Sequence, residues 1–131
     1  MLLIALFVLV IMATVGATLA AALRFRMERL ERETTSVQLT ALMDAALAHS
    51  MAEIALDTNW KGTGGPRSLG KGQYAVSAWF EGTRHIRVYM VVRWRGSGRA
   101  AEALIDFYDG KVEWWKPRPF DPADPMDLPG P

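Results

Sequence analysis

The chain has 131 residues and a formal net charge of +1 from 15 basic and 14 acidic side chains, a balance that gives no sign of a nucleic-acid surface. It contains no cysteine and only two histidines, which excludes a disulfide and a cysteine–histidine zinc cage. We therefore expect no cofactor, no small-molecule substrate and at most one small domain, whose core must include a long helix because nothing else reinforces it.

The first element is an uncharged apolar segment at residues 1–23. As a helix it is roughly 35 Å long at about 1.5 Å per residue, enough to cross the hydrocarbon core of a bilayer. Its large apolar side chains favour insertion by about 4 to 7 kcal/mol. The sequence predicts a transmembrane helix, whose membrane or assembly residues are Leu3, Leu6, Phe7, Val10, Ala13, Gly16, Ala17, Ala20 and Ala21.

Two other interpretations of this segment stay open, a buried core helix and a signal peptide. A signal peptide begins with basic residues and has a short apolar run, whereas here no basic residue comes first and the run is long. Ala20 to Ala22 still imitate a cleavage site. The four-residue spacing of Ala13, Ala17 and Ala21 permits close helix approach in lipid, although small residues are also simply frequent in membrane helices.

The helix is predicted to continue without interruption through residues 24–57, beginning with four arginines interleaved with three glutamates. We interpret this stretch as a solvated helix face in which Glu28 pairs with Arg32, and as an anchor for anionic lipid in the second place. The positive-inside rule alone places the following domain in the cytoplasm, but a basic leader ahead of Met1 would compete with that signal. The orientation is therefore left open.

The later part of this helix carries one apolar stripe, which predicts that it packs on a sheet. His49 lies beside the stripe and is expected to be a surface residue. The helix is expected to end near Asp57, because a loop rich in glycine and proline follows at residues 58–71. The stripe residues predicted to enter the helix–sheet core are Leu39, Met43, Leu47 and Ile54.

From Gly72 the apolar residues alternate with polar ones, which predicts a four-stranded antiparallel meander at residues 72–116. A turn is expected at Gly96–Gly98, and a two-residue type I′ turn at Asp109–Gly110. The residues predicted to face the helix are Tyr74, Val76, Ile86, Val88, Met90, Ile105 and Phe107, continued in the fourth strand by Val112 and Trp114.

The opposite face of the meander is expected to be wet, with charged pairs between neighbouring strands. The arginines of this face are Arg87, Arg93 and Arg95. Their predicted partners are Glu102, Asp106 and Glu113.

The tail at residues 117–131 holds six of the seven prolines and predicts an extended or disordered end, with a proline-rich docking strand as the second interpretation. Asp121, Asp124 and Asp127 lack the turn glycine and the bidentate glutamate of a calcium loop, so no metal site is expected.

Residues for catalysis are sparse. His49 and His85 do not complete a serine or cysteine triad, and the glycine-rich segment 62–72 lacks the spacing of a phosphate-binding loop. The sequence predicts assembly rather than enzymatic activity.

The chain resembles type IV pilin-like proteins, the group of minor pilins and type II secretion pseudopilins, over about residues 1–116. Three features carry the resemblance: the apolar segment 2–23 that leads unbroken into a charged helix, the segment 41–56 followed by a Trp-Lys-Gly loop, and the segment 69–82, whose Gly-x-Tyr-x-Val strand opening is similar to that of minor pilins. The resemblance implies an α+β fold in which a long N-terminal helix packs on a small antiparallel sheet.

The resemblance further implies a non-enzymatic subunit held in the inner membrane with a periplasmic domain, which joins a pilus or pseudopilus through its N-terminal helix. Its partners would be other pilin-like subunits and the filament assembly platform. Two departures from the family pattern are expected to matter. No basic leader precedes Met1, so the leader has been removed or the true start lies upstream. If Met1 is the mature first residue, Ala5 stands where most pilins carry a glutamate, which is similar to a tip pseudopilin. The alternatives are a single-span interaction module of another envelope complex and, third, an enzyme.

Overall fold

The computed structural model describes residues 1–121, so the predictions for residues 122–131 lie outside the described residues. The chain forms two compact units, of which the first ends at Thr34. The elements in chain order are α1 (Leu2–Leu56), β1 (Arg67–Leu69), β2 (Gly72–Glu81), β3 (His85–Trp94), β4 (Ser97–Asp106) and β5 (Lys111–Arg118).

The first unit consists of helix α1 up to Thr34, and every one of its side chains is exposed. The hydroxyls of Thr14 and Thr18 donate to backbone carbonyls one turn earlier, at 2.8 Å in both cases, so neither hydroxyl needs water. In this described stretch the ion pair that forms is Arg29–Glu33, at 3.2 Å, rather than the predicted Glu28–Arg32.

The second unit joins the remainder of α1 to one antiparallel sheet with the strand order β1-β2-β3-β4-β5. The predicted α+β layout, a long N-terminal helix packed on an antiparallel sheet, is confirmed. The predicted number of strands is wrong, because the described sheet has five strands instead of four.

The additional strand is β1, which lies within the predicted loop 58–71. It pairs with the start of β2 across a two-residue turn, with Leu69 opposite Gly72. Just before it, the backbone N–H of Thr63 donates to the Val76 carbonyl at 2.9 Å, which attaches the loop to the same edge of β2. A three-residue strand is too short to show a period of two, which explains why the pattern did not reveal it.

The core lies between α1 and one face of the sheet. Leu42, Ala46 and Ser50 are buried on the helix, and Ser50 donates its hydroxyl to the Ala46 carbonyl at 2.7 Å. The eleven residues predicted for this core lie in the cluster or against it: Leu39, Met43, Ile54, Val76, Ile86, Val88, Met90 and Ile105 are buried, and Leu47, Tyr74 and Phe107 are partly buried.

The opposite face of the sheet is less wet than predicted. Glu102 is 3% exposed and Asp106 is 2% exposed, although both were expected to point into solvent. Ala75, Val91 and Ala100 form one row across this face and are also buried. Such small residues are covered when long neighbouring side chains lie over the sheet.

Two turns differ from the prediction. Asp109–Gly110 is not a two-residue turn, because Asp106 pairs with Lys111 and leaves a four-residue loop between β4 and β5. The two-residue turn with positive φ at both positions is instead Arg95–Gly96, at 49° and 76°. These values match a type I′ turn, and they place Ser97 in β4 rather than in the predicted turn.

The fourth predicted strand, β5, contains a bulge. The register shifts between Leu104 and Ile105, so that Val112 pairs with Ile105 while Trp114 pairs with Leu104. One extra residue on the bulged strand reverses the side chains that follow it. Trp114 therefore lies on the outer face, contrary to the prediction. Residues 117 and 118 belong to β5 and not to the predicted tail, because an edge strand tolerates proline.

Candidate functional site

The apolar start of α1 is the most unusual surface of the described chain. It is long and apolar enough to cross a membrane, with a mean hydropathy of 2.7 over its best window and no part of that window buried. Leu6 is 62% exposed and Phe7 66% exposed. The nine residues predicted for membrane or assembly contact are all exposed, and a continuous apolar surface of this length marks a membrane or protein contact.

The second feature is a charged network on the outer face of the sheet, centred on Glu102. Its carboxylate accepts hydrogen bonds from Arg118 Nε at 2.6 Å and Arg87 Nη1 at 3.1 Å, and Lys116 Nζ lies at 4.0 Å. Burial raises the pKa of Glu102, but the bonds and charges of Arg118 and Arg87 outweigh it, so the pKa lies below its ordinary value. This ionised carboxylate ties β3, β4 and β5 together.

Arg87 extends this network. It makes a bidentate pair with Glu81, with both N···O distances at 2.6 Å, and its guanidinium lies 5.5 Å from the ring centroid of Trp114. The predicted pairing of Arg87 with Glu102 is confirmed. Arg95 instead lies over the ring of Trp94, at 4.6 Å.

Asp106 holds a second cluster at the end of β4. It accepts hydrogen bonds from Arg84 Nε at 2.6 Å and from the backbone N–H groups of Tyr108 and Asp109 at 3.0 and 3.3 Å. Burial raises the pKa of Asp106, while these bonds lower it more, and the net shift is downward. The predicted partner of Asp106 was an arginine of the outer face, whereas the actual partner is Arg84 in the β2–β3 turn.

Asp106 also belongs to the one group of possible metal ligands found among residues 1–121. Ligand atoms of His85, Asp106 and Glu113 lie within 4.8 Å of one another, with His85 Nε2 and Glu113 Oε1 3.9 Å apart. The guanidinium of Arg84 already supplies positive charge to Asp106, and both of its oxygens accept hydrogen bonds. The donor set therefore fits an ion-pair cluster better than a cation site.

His49 was expected to be a surface residue of the helix, but its ring contacts residues outside the helix. Its Nδ1 lies 2.8 Å from the hydroxyl of Tyr74 on β2, and its Nε2 lies 3.3 Å from Glu53. The Trp60 ring is tilted against it, at 5.8 Å between centroids. The side chain is partly buried and links α1 to the sheet, and sequence spacing offers no signal for a contact across 25 residues.

The described residues of the second unit line two hollows of interest. The smaller one, about 290 Å³, lies between the loop after α1 and β2 and includes Asn59 and Trp60. The larger one, about 520 Å³, lies between α1 and the β4–β5 edge, and we name it the β5 groove. It is lined by Thr40, Met43, Asp44, Leu47, Gly98, Arg99, Ala100, Trp115, Pro117, Arg118 and Phe120.

Comparison with known proteins adds no relative to this picture: no family model, no curated protein and no solved structure matches the chain. The two features available for a functional argument are therefore the exposed apolar helix and the surfaces of the α+β unit.

Proposed function

We propose that this protein is a membrane-anchored, non-enzymatic subunit of the type IV pilin-like kind. Its N-terminal helix holds it in the inner membrane and its α+β domain lies in the periplasm. The subunit then joins a type IV pilus or a type II secretion pseudopilus through the same helix. The observation that carries this proposal is the single 55-residue helix that is apolar and wholly exposed at its start and core-forming at its end.

The exposure of the first unit supports a membrane role over a core helix. An apolar helix that belongs to a soluble core is mostly buried, whereas this one is 0% buried over its most apolar window. Its hydroxyls are satisfied within the helix and its first charged residue is Arg24. A lipid phase or a dry filament core offers the apolar surroundings that such a surface requires.

Mass analysis of the N-terminus tests the proposal. The protein is expressed from its complete gene in its own host, purified from membranes, and compared with protein from cells that lack prepilin peptidase. We expect leader cleavage and N-methylation in the first sample and a heavier chain in the second. An identical N-terminus in both samples contradicts the pilin-like function, and a chain that begins after Ala22 shows that the segment is a signal peptide.

The second candidate is a single-span interaction module of another envelope complex. The observation that favours it is the β5 groove, because partly exposed apolar side chains such as Leu47 and Trp115 in one groove suit a partner contact. This candidate predicts a membrane-bound protein whose N-terminus does not depend on the peptidase. The same experiment therefore separates the two functions.

A further inference from the structure

The β5 groove has two walls of different origin. Met43 and Leu47 on α1 form one wall, and Trp115 and Phe120 form the other. Gly98 forms part of the groove, and a Cβ atom there would collide with the ring of Phe120. The ring therefore lies directly against the β4 backbone.

The apolar lining of this groove is incompletely covered. Trp115 is 49% exposed, while Leu47 and Phe120 are partly exposed. Large aromatic side chains that are half open to solvent contribute strongly to binding when a partner covers them. The groove thus has the apolar centre of a docking surface.

Three charged side chains line the groove, and one of them, Arg118, is paired with Glu102 at 2.6 Å. The other two, Asp44 and Arg99, have opposite signs. Arg99 donates to two neutral hydroxyls, with Nη2 2.9 Å from Ser36 Oγ and Nη1 3.1 Å from Thr40 Oγ1. Among residues 1–121, no carboxylate lies within 4.0 Å of Arg99 and no cationic side chain lies within 4.0 Å of Asp44. The hydroxyls orient the guanidinium without neutralising its charge.

These two charges select among the possible occupants. An apolar acid would pair with Arg99 but bring a second negative charge toward Asp44. An apolar amine would pair with Asp44 but bring a second positive charge toward Arg99. A second copy of the chain brings both signs on the same surface. A two-fold axis places residue i on residue j and residue j on residue i, so both charges of each copy meet an opposite charge in one interface.

We propose that the β5 groove is a self-complementary interface between two copies of this protein. Asp44 of each copy pairs with Arg99 of the other, and Trp115 of each copy is covered by the partner. This pairing does not depend on the pilin-like function, since it uses only residues of the α+β unit.

The test measures self-association of the full chain in detergent by sedimentation over a dilution series. We expect a monomer–dimer equilibrium with a dissociation constant of roughly micromolar order, because an interface confined to one groove and its rim belongs at the small end of protein interfaces. Asp44→Arg and Arg99→Asp should each raise the dissociation constant by about tenfold or more, because each places like charges opposite one another. The double exchange should restore it to within about threefold, since the two charges meet again.

Glu31→Arg and Arg93→Asp are the matched controls, because they change the same charges at exposed positions outside the groove. Both should leave the dissociation constant unchanged. A protein that stays monomeric up to about 100 µM overturns the proposal. So does a double exchange that dimerises no better than either single variant. Monomers that bind a short-chain fatty acid in the groove show that the occupant is an apolar acid.

Cross-linking gives a second measurement that keeps the charges intact. The chain has no cysteine, so one introduced thiol reports on one position. Leu47→Cys in the groove should yield cross-linked dimers with a short bismaleimide, while Ser68→Cys in the exposed strand β1 should not. Equal cross-linking at both positions overturns the proposal, and circular dichroism checks that each variant is folded.

Discussion

The two parts of helix α1 have the same backbone conformation and opposite surroundings. Up to Thr34 no side chain is buried, whereas between Leu39 and Ile54 six side chains are buried. The early part is apolar on all sides until Arg24, and the later part has one apolar stripe. A helix that is apolar all round has no polar face to give to water, while a striped helix buries one face and hydrates the other. The side-chain pattern, not helicity, thus decides which partner each part needs.

The largest effect is expected in the early part. Replacing both Leu6 and Val10 with arginine removes two favourable insertion terms and adds two unfavourable ones, a change of about 6 to 8 kcal/mol. We expect the variant to leave the membrane fraction in flotation assays of cells, while Arg24→Leu with Arg26→Leu stays bound. A double-arginine variant that floats with the membranes would contradict the membrane assignment.

The next effect compares the same substitution, methionine to alanine, in the core of the domain and in the early part of α1. Met90 is 0% exposed in the core and Met12 is 71% exposed on the first unit. Met90→Ala should lower the free energy of unfolding of the domain by about 2 to 5 kcal/mol, because it leaves a cavity. Met12→Ala should change it by less than about 0.5 kcal/mol. Urea unfolding followed by tryptophan fluorescence measures both, and equal losses would show that the first unit shares the core.

A smaller effect concerns the buried carboxylate on the outer face of the sheet. Glu102→Gln should lower the free energy of unfolding by about 1 to 3 kcal/mol at pH 7, because Arg87 and Arg118 lose their charged acceptor. Glu113→Gln, an exposed change on the same sheet, should cost little.

The pH dependence of the free energy of unfolding tests whether Glu102 is ionised in the folded protein. The folded pKa of Glu102 lies below its ordinary value, so the folded state binds fewer protons than the unfolded chain near that pH. The stability that this group contributes is present above the unfolded pKa of about 4.3 and is lost as the pH falls through the folded value. The Gln variant should therefore show a flatter loss of stability between about pH 5 and pH 3. Parallel curves for variant and parent would refute the ionised, buried carboxylate.

The smallest effect concerns the link between α1 and β2. Tyr74→Phe removes the hydroxyl that lies 2.8 Å from His49 Nδ1, and should lower the free energy of unfolding by about 0.5 to 1.5 kcal/mol. Tyr108→Phe is the control, because Tyr108 is 72% exposed. If the two variants unfold at the same urea concentration, the contact with His49 contributes nothing.

The elements with a long and regular pattern were predictable from the sequence. Residues that are close in the chain produce these patterns, so their periods can be recognised from the sequence alone. The patterns are the apolar run of α1, its later stripe, and the alternation in β2, β3 and β4. The short strand β1 and the bulge in β5 were not predictable, because three residues show no period and one extra residue reverses the faces without changing composition.

The amino-acid sequence by itself determined that a long helix precedes an antiparallel sheet and that the first part of the helix is apolar enough to cross a bilayer, since hydrophobic pattern is a local property. Only the tertiary structure decided which charged side chains are buried and which groups each of them contacts. Glu102 meets Arg118 because β4 and β5 pair in one register, and Arg99 meets two hydroxyls because β4 lies beside α1. Such partners are set by the packing of elements that are distant in the chain, and this packing created the β5 groove.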